Sequence, residues 1–132
     1  MTTATGKFEV VSWDEAPYAE IEGGGRLTRA SVKQTFTGEI AGDGAVDYLM
    51  CYRRDGTASF VGLQRIDGRV HDRAGSFVLT LRGEFDGGSA SGAWSVVPGS
   101  ATGELEGLQG EGGFDAPLGP QAEVTLEYEL DQ

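Results

Sequence analysis

Seven side chains carry the chemistry that this chain could perform: Gln34, Tyr48, Tyr52, Phe60, Gln64, Trp94 and Glu111. The first six are aromatic or amide groups in segments of alternating or continuous apolar character, where strand positions can project into an interior. Rings supply apolar wall, while phenols and carboxamides, neutral at pH 7, anchor the polar end of a bound molecule. Small residues at Gly62, Ala90 and Gly92 would leave space beside them. A dry cavity of this kind can fix a reactive conformer and stabilise developing charge, which is enough for isomerisation or cyclisation without a cofactor. The same residues also suit a packed core with satisfied polar tips, and both readings stand. Glu111 becomes an acid or base if a bulge turns its strand inward.

Other chemistries find less support. Residues 98–117, PGSATGELEGLQGEGGFDAP, hold six glycines but neither Lys nor Arg. Glu104, Glu106 and Glu111 would repel a phosphate, and neither a P-loop nor a dinucleotide fingerprint is present. The glycines therefore read as backbone devices. Pro98-Gly99 leaves a strand, Gly107 ends a helical turn, and Gly110, Gly112 and Gly113 let a bulged strand curve, with Leu105 and Leu108 plugging one end. His71 beside Asp72 could serve as an oriented base, although a lone loop histidine is usually solvated. Cys51, mid-strand, reads as a buried inert thiol. One His and one Cys are too few for a metal centre, and no serine sits in a nucleophile elbow. No cofactor or metal is expected.

The elements that must position these residues are strands. Asp43-Gly44, Asp55-Gly56 and Asp67-Gly68 recur every twelve residues, which suggests hairpin turns of a meander, and Asp86-Gly87 suggests another. Ala122, Val124, Leu126, Tyr128 and Leu130 alternate with polar residues, as do Phe77, Leu79, Leu81, Gly83 and Phe85. The run Leu27–Ala41 is too long for one straight strand and is expected to bend near Gly38. Segments 45–54 and 59–66 are apolar on both faces, so their inward parity stays open. With strands near KFEVVSWD and LQGEGGFD the count reaches about eight, plus one short helical turn near 102–107. An all-β, eight-stranded antiparallel barrel forming a single domain over 1–132 is the expectation, because closure removes exposed edges; a sandwich is the alternative.

Charge and composition narrow the partners. Ten Lys plus Arg against 21 Asp plus Glu give a net charge of −11, which repels nucleic acid and anionic lipid. No apolar run spans a bilayer, and the N-terminal residues lack the pattern of a secretion signal. A lone cysteine and these features place the protein in the cytoplasm. Val61, Leu63 and Val78, if outward, would form an apolar stripe able to bury against a second copy as a homodimer.

The GSFVL strand at 75–79, the VVPGS turn at 96–100, and the block TGELEGLQGEGGF from Thr102 to Phe114 resemble a bacterial family known as domain of unknown function 3224. That resemblance, running from about Phe8 to the C-terminus, implies a barrel similar to allene oxide cyclase and no settled reaction. It also implies a histidine two residues beyond the GSFVL strand, where this chain has Leu81. The leading expectation is a small cytoplasmic barrel that binds an apolar small molecule in its interior, as a carrier or as a cofactor-independent cyclase or isomerase. The alternative is a non-catalytic structural or interaction module with a packed core.

Overall fold

The structure, a computed structural model, describes residues 1–117 and 121–130. Eight strands occur in order: β1 (Thr2–Ile21), β2 (Gly25–Gly38), β3 (Ile40–Tyr52), β4 (Ala58–Val70), β5 (Arg73–Phe85), β6 (Ala90–Val96), β7 (Leu108–Ala116) and β8 (Gln121–Leu130). Each pairs antiparallel with its sequence neighbour, and β8 returns to β1, with Thr2 opposite Tyr128 and Phe8 opposite Ala122, so the sheet closes on itself. One 3₁₀ turn, Gly103–Leu105, precedes β7. No helix among the described residues is long and apolar enough to cross a membrane.

Alternation decides which face is core. Phe77, Leu79 and Leu81 of β5 and Ala122, Val124, Leu126 and Tyr128 of β8 are buried, as their period of two requires. The open parity of β3 and β4 resolves in favour of the even positions: Val46, Tyr48 and Met50, then Phe60, Gln64 and Ile66, point inward. Leu49, Val61 and Leu63 consequently lie outside, and each is about half exposed. Each large apolar or aromatic side chain removed from water contributes roughly 1.5–3 kcal/mol.

Two of the expected turns are absent. Asp43-Gly44 and Asp67-Gly68 lie inside β3 and β4, where Asp43 opposes Asp67 and Gly42 opposes Gly68 in an unbroken ladder. Their glycines serve close approach instead: a Cβ at Gly68 would strike the Ala41 carbonyl, and one at Gly44 the Phe36 ring. The chain turns at His71-Asp72 instead, and the Leu27–Ala41 run breaks at Gly38-Glu39 into two strands. Asp55-Gly56 and Asp86-Gly87 do sit in turns.

The two ends of the barrel differ. At the closed end, Leu105 and Leu108 are fully buried plugs beside Ile40, Val70 and Phe77. The segment leading into them is stitched to β5, with Thr102 N donating to the Ser76 carbonyl at 2.8 Å and Ser76 N donating to Thr102 Oγ1 at 3.1 Å. The opposite end is ringed by the turns at 22–24, 53–57 and 86–89 and, among the described residues, carries no plug like Leu105 and Leu108.

Candidate functional site at the barrel mouth

The open end holds a cavity of about 360 Å³, within the range of small-molecule sites. Seven aromatic residues line it: Phe8, Trp13, Tyr48, Tyr52, Phe60, Phe85 and Phe114. Met50, Gln34, Ala90 and the 87–89 turn complete most of the wall. Among the described residues no Lys, Arg, Asp or Glu lines it. The rings also touch one another. Tyr48 meets Phe60 edge-on with centroids 5.3 Å apart, Phe60 stacks on Phe114 at 6.2 Å, and Phe114 meets Phe8 at 6.1 Å and Trp94 at 5.9 Å. Such pairs add directional stiffness to apolar burial.

Polar anchors come from three strands. Gln64 on β4 donates its Nε2 to Gln34 Oε1 on β2 at 2.7 Å, both side chains being buried. This bond fixes the flip of the Gln34 amide and leaves its nitrogen for the Tyr48 hydroxyl. Burial pushes the Tyr48 phenol up to about 12 despite the Gln34 hydrogen bond. Tyr52 is also raised to about 12, first by burial and then by the adjacent Glu15 carboxylate. Both phenols therefore keep their protons at neutral pH and act as donors rather than bases.

Glu15 and Trp13 reach the mouth through an irregularity. β1 and β2 slip register between Val10 and Ser12, where Val11 is the extra residue. Beyond it Trp13 opposes inward Val32 and Glu15 opposes inward Ala30, so these two odd positions turn toward the mouth, with Glu15 half-buried and Trp13 still 49% exposed at the rim. Glu15 accepts from Trp13 Nε1 at 2.9 Å and from Thr28 Oγ1 at 2.6 Å. Burial raises the Glu15 carboxyl, but hydrogen bonds from Thr28, Trp13 and Tyr52 with the Arg26 charge outweigh it and leave the pKa below the ordinary value.

Four of the seven residues singled out from sequence, Gln34, Tyr48, Tyr52 and Phe60, line this one cavity. Gln64 stands behind it as the partner that orients Gln34. Trp94 is buried beneath, its Nε1 donating to the Thr125 carbonyl at 3.0 Å. Glu111 points to solvent between Ser95 and Glu127. The expected β7 bulge is absent: pairing with β6 and β8 runs without a slip, and Gly112 is small because the Thr125 carbonyl comes too close for a Cβ. Nor do the small residues all leave space. A Cβ at Gly92 would lie 2.6 Å from the Phe114 ring, which fills that hollow, whereas Ala90 does face the cavity.

His71 belongs to the other end. Its backbone has φ 54, and its ring Nδ1 is hydrogen-bonded to Tyr128 Oη while Nε2 lies 3.2 Å from Glu39 Oε2. Thr5 N and Oγ1 in turn hold Glu39 at 2.9 and 3.1 Å. With Nε2 facing the carboxylate, the neutral tautomer carries its proton there and accepts from Tyr128. The group ties the β2–β3 corner, the β4–β5 turn, β1 and β8 together, away from the cavity. Cys51 is half-buried on the outer face of β3, not in the interior. Among the described residues no group of three or more His, Cys, Asp or Glu could hold a metal ion.

Comparison with known proteins gives a family and a fold. Residues 4–128 match the family described as protein of unknown function (DUF3224). A crystal structure of a protein with unknown function from that family, from Shewanella oneidensis MR-1, aligns with a TM-score of 0.81 at 30% identity, covering 100% of this chain and 98% of the other. No curated protein matches.

Proposed function

The chain belongs to the DUF3224 family of proteins of unknown function, and for it we propose the binding of an apolar small molecule in the barrel mouth. The observation that carries this reading is the cavity of about 360 Å³ walled by seven aromatic side chains, with the Tyr48 hydroxyl as a protonated donor. The chemistry such a site supports is cyclisation or isomerisation of an unsaturated ligand without a cofactor, which is also what a likeness to allene oxide cyclase would imply. Rings fix the conformer, and Tyr48, oriented through Gln34 and Gln64, stabilises negative charge developing on a ligand oxygen. Its acidic composition and lone Cys51 suit a cytoplasmic setting.

The test is titration with the neutral fluorescent probe N-phenyl-1-naphthylamine. Wild-type protein is expected to enhance its emission, and Ala90→Phe, which fills the cavity from β6, to weaken binding at least about tenfold (~1.4 kcal/mol) with unchanged circular dichroism. Equal binding by Ala90→Phe would remove the mouth as the site.

A second reading, a module that associates through its outer surface, draws on Leu49, Val61 and Leu63, exposed at 48%, 51% and 56%. Leu49 and Val61 are direct cross-strand neighbours, while Val78 is only half-buried nearby. Light scattering at micromolar concentration is expected to report a dimer on this reading; a strict monomer removes it.

A further inference from the structure

We propose that the mouth cavity prefers a cationic apolar ligand, a small quaternary or protonated tertiary ammonium, over neutral or anionic molecules of the same shape. This deepens the apolar-ligand reading and rests on it.

Three observations converge. First, the wall is made of rings whose faces carry the negative end of a quadrupole, and a cation within about 6 Å of such faces gains roughly 0.5–2 kcal/mol. Trp13 and Tyr48, with centroids 5.9 Å apart and tilted by 31°, form one corner, and Tyr48 with Phe60 forms the next. Second, Glu15 is the carboxylate that the β1 register slip turns inward at this end; Trp13 of the wall hydrogen-bonds directly to it, and it stands near enough to Tyr52 to push that phenol's pKa up. It places a negative charge immediately behind the rings without occupying the cavity. Third, no Lys or Arg among the described residues lines the space, so the wall itself offers an anion no cationic partner. A carboxylate ligand would lose its hydration for aromatic faces and a neighbouring Glu15.

One cation stands close. The Arg26 guanidinium lies 4.8 Å above the Tyr52 ring and offsets part of the Glu15 charge from the rim. Arg26 is itself exposed, and its stacking shows that the Tyr52 ring accepts a cation on its face. The net charge of −11 adds an attractive field for cations over the whole surface.

Benzyltrimethylammonium and neopentylbenzene differ only in N⁺ for C, so their affinities isolate the charge. Titrations followed by the Trp13 indole resonance in NMR spectra are expected to show the cation binding about tenfold more tightly, with phenylacetate weakest. Glu15→Gln is expected to shrink the cation's advantage to about threefold while leaving neopentylbenzene unchanged. The wild-type ratio carries the test even if that variant loses its fold. Neopentylbenzene binding as tightly as the cation overturns the charge preference and leaves the apolar cavity standing; binding of neither ligand overturns both.

Discussion

Phe114→Ala is expected to destabilise the barrel by about 3–5 kcal/mol, the range for removing a buried phenylalanine. Phe114 is 7% exposed, and its ring meets those of Phe8, Phe60 and Trp94. It also lies over Gly92, where no side chain can move in to fill the space it leaves. Collapse is therefore poor, and the cost belongs at the upper end. In a domain of this size the midpoint of thermal unfolding should fall by roughly 10–20 °C. Phe85→Ala, at a half-buried rim position of the same cavity, should cost about half as much or less. Denaturant titration of both variants measures the difference, and equal losses would mean that the stacked rings beneath the mouth confer no special stability. Phe114→Ala should also enlarge the cavity and admit bulkier probes.

Gly68→Ala should be as damaging although it adds one methyl group. The new Cβ would meet the Ala41 carbonyl and the Gly42 Cα, backbone atoms that cannot rotate away. The β3–β4 ladder must separate there, at a cost of about 3 kcal/mol or more, the upper part of the range for overpacking. Gly56→Ala supplies the comparison: nothing lies within 4 Å of a Cβ there, but φ is +91, so only local strain of roughly 1 kcal/mol applies. Urea midpoints of the two variants should separate clearly. If Gly68→Ala unfolds no earlier than Gly56→Ala, the close approach of β3 and β4 is more compliant than its geometry indicates.

Strand number, closure and the short turn before β7 were legible because period-two alternation reports burial directly, as in β5 and β8. Gln34, Tyr48, Tyr52 and Phe60 could be named as candidates from residue type, but β3 and β4 are apolar on both faces and only the ladder pairing shows that these residues share one cavity. What stayed hidden depends on contacts between strands. Asp-Gly reads as a turn because glycine tolerates turn geometry, yet in Asp43-Gly44 and Asp67-Gly68 the pair is mid-strand, where Gly44 makes room for the Phe36 ring and Gly68 for the adjacent backbone. No local signal separates the two uses. Trp13 and Glu15 were missed because an unbroken alternation from Phe8 through Val10 points Ser12 and Asp14 inward, and one unpaired residue, Val11, reverses it. The expected bulge was instead assigned to β7, whose glycines answer to the Thr125 carbonyl. Only Trp13 hinted otherwise, since a tryptophan among polar residues at a strand end commonly packs on something.

The closing ladder sets the order in which this molecule can be made. Ala4 pairs with Leu126 and Phe8 with Ala122, partners that lie far apart along the chain and so leave the ribosome at different times. Seven ladders join strands adjacent in sequence and can form as the chain lengthens, but β1 and β7 keep open hydrogen-bonding edges until β8 arrives. During that interval the nascent sheet presents two sticky edges and an uncovered aromatic interior. Closure over so large a sequence separation is also the slow step expected on topological grounds. The seam between β1 and β8, inconspicuous in the finished barrel, is thus the point at which the growing chain is most exposed to misassembly.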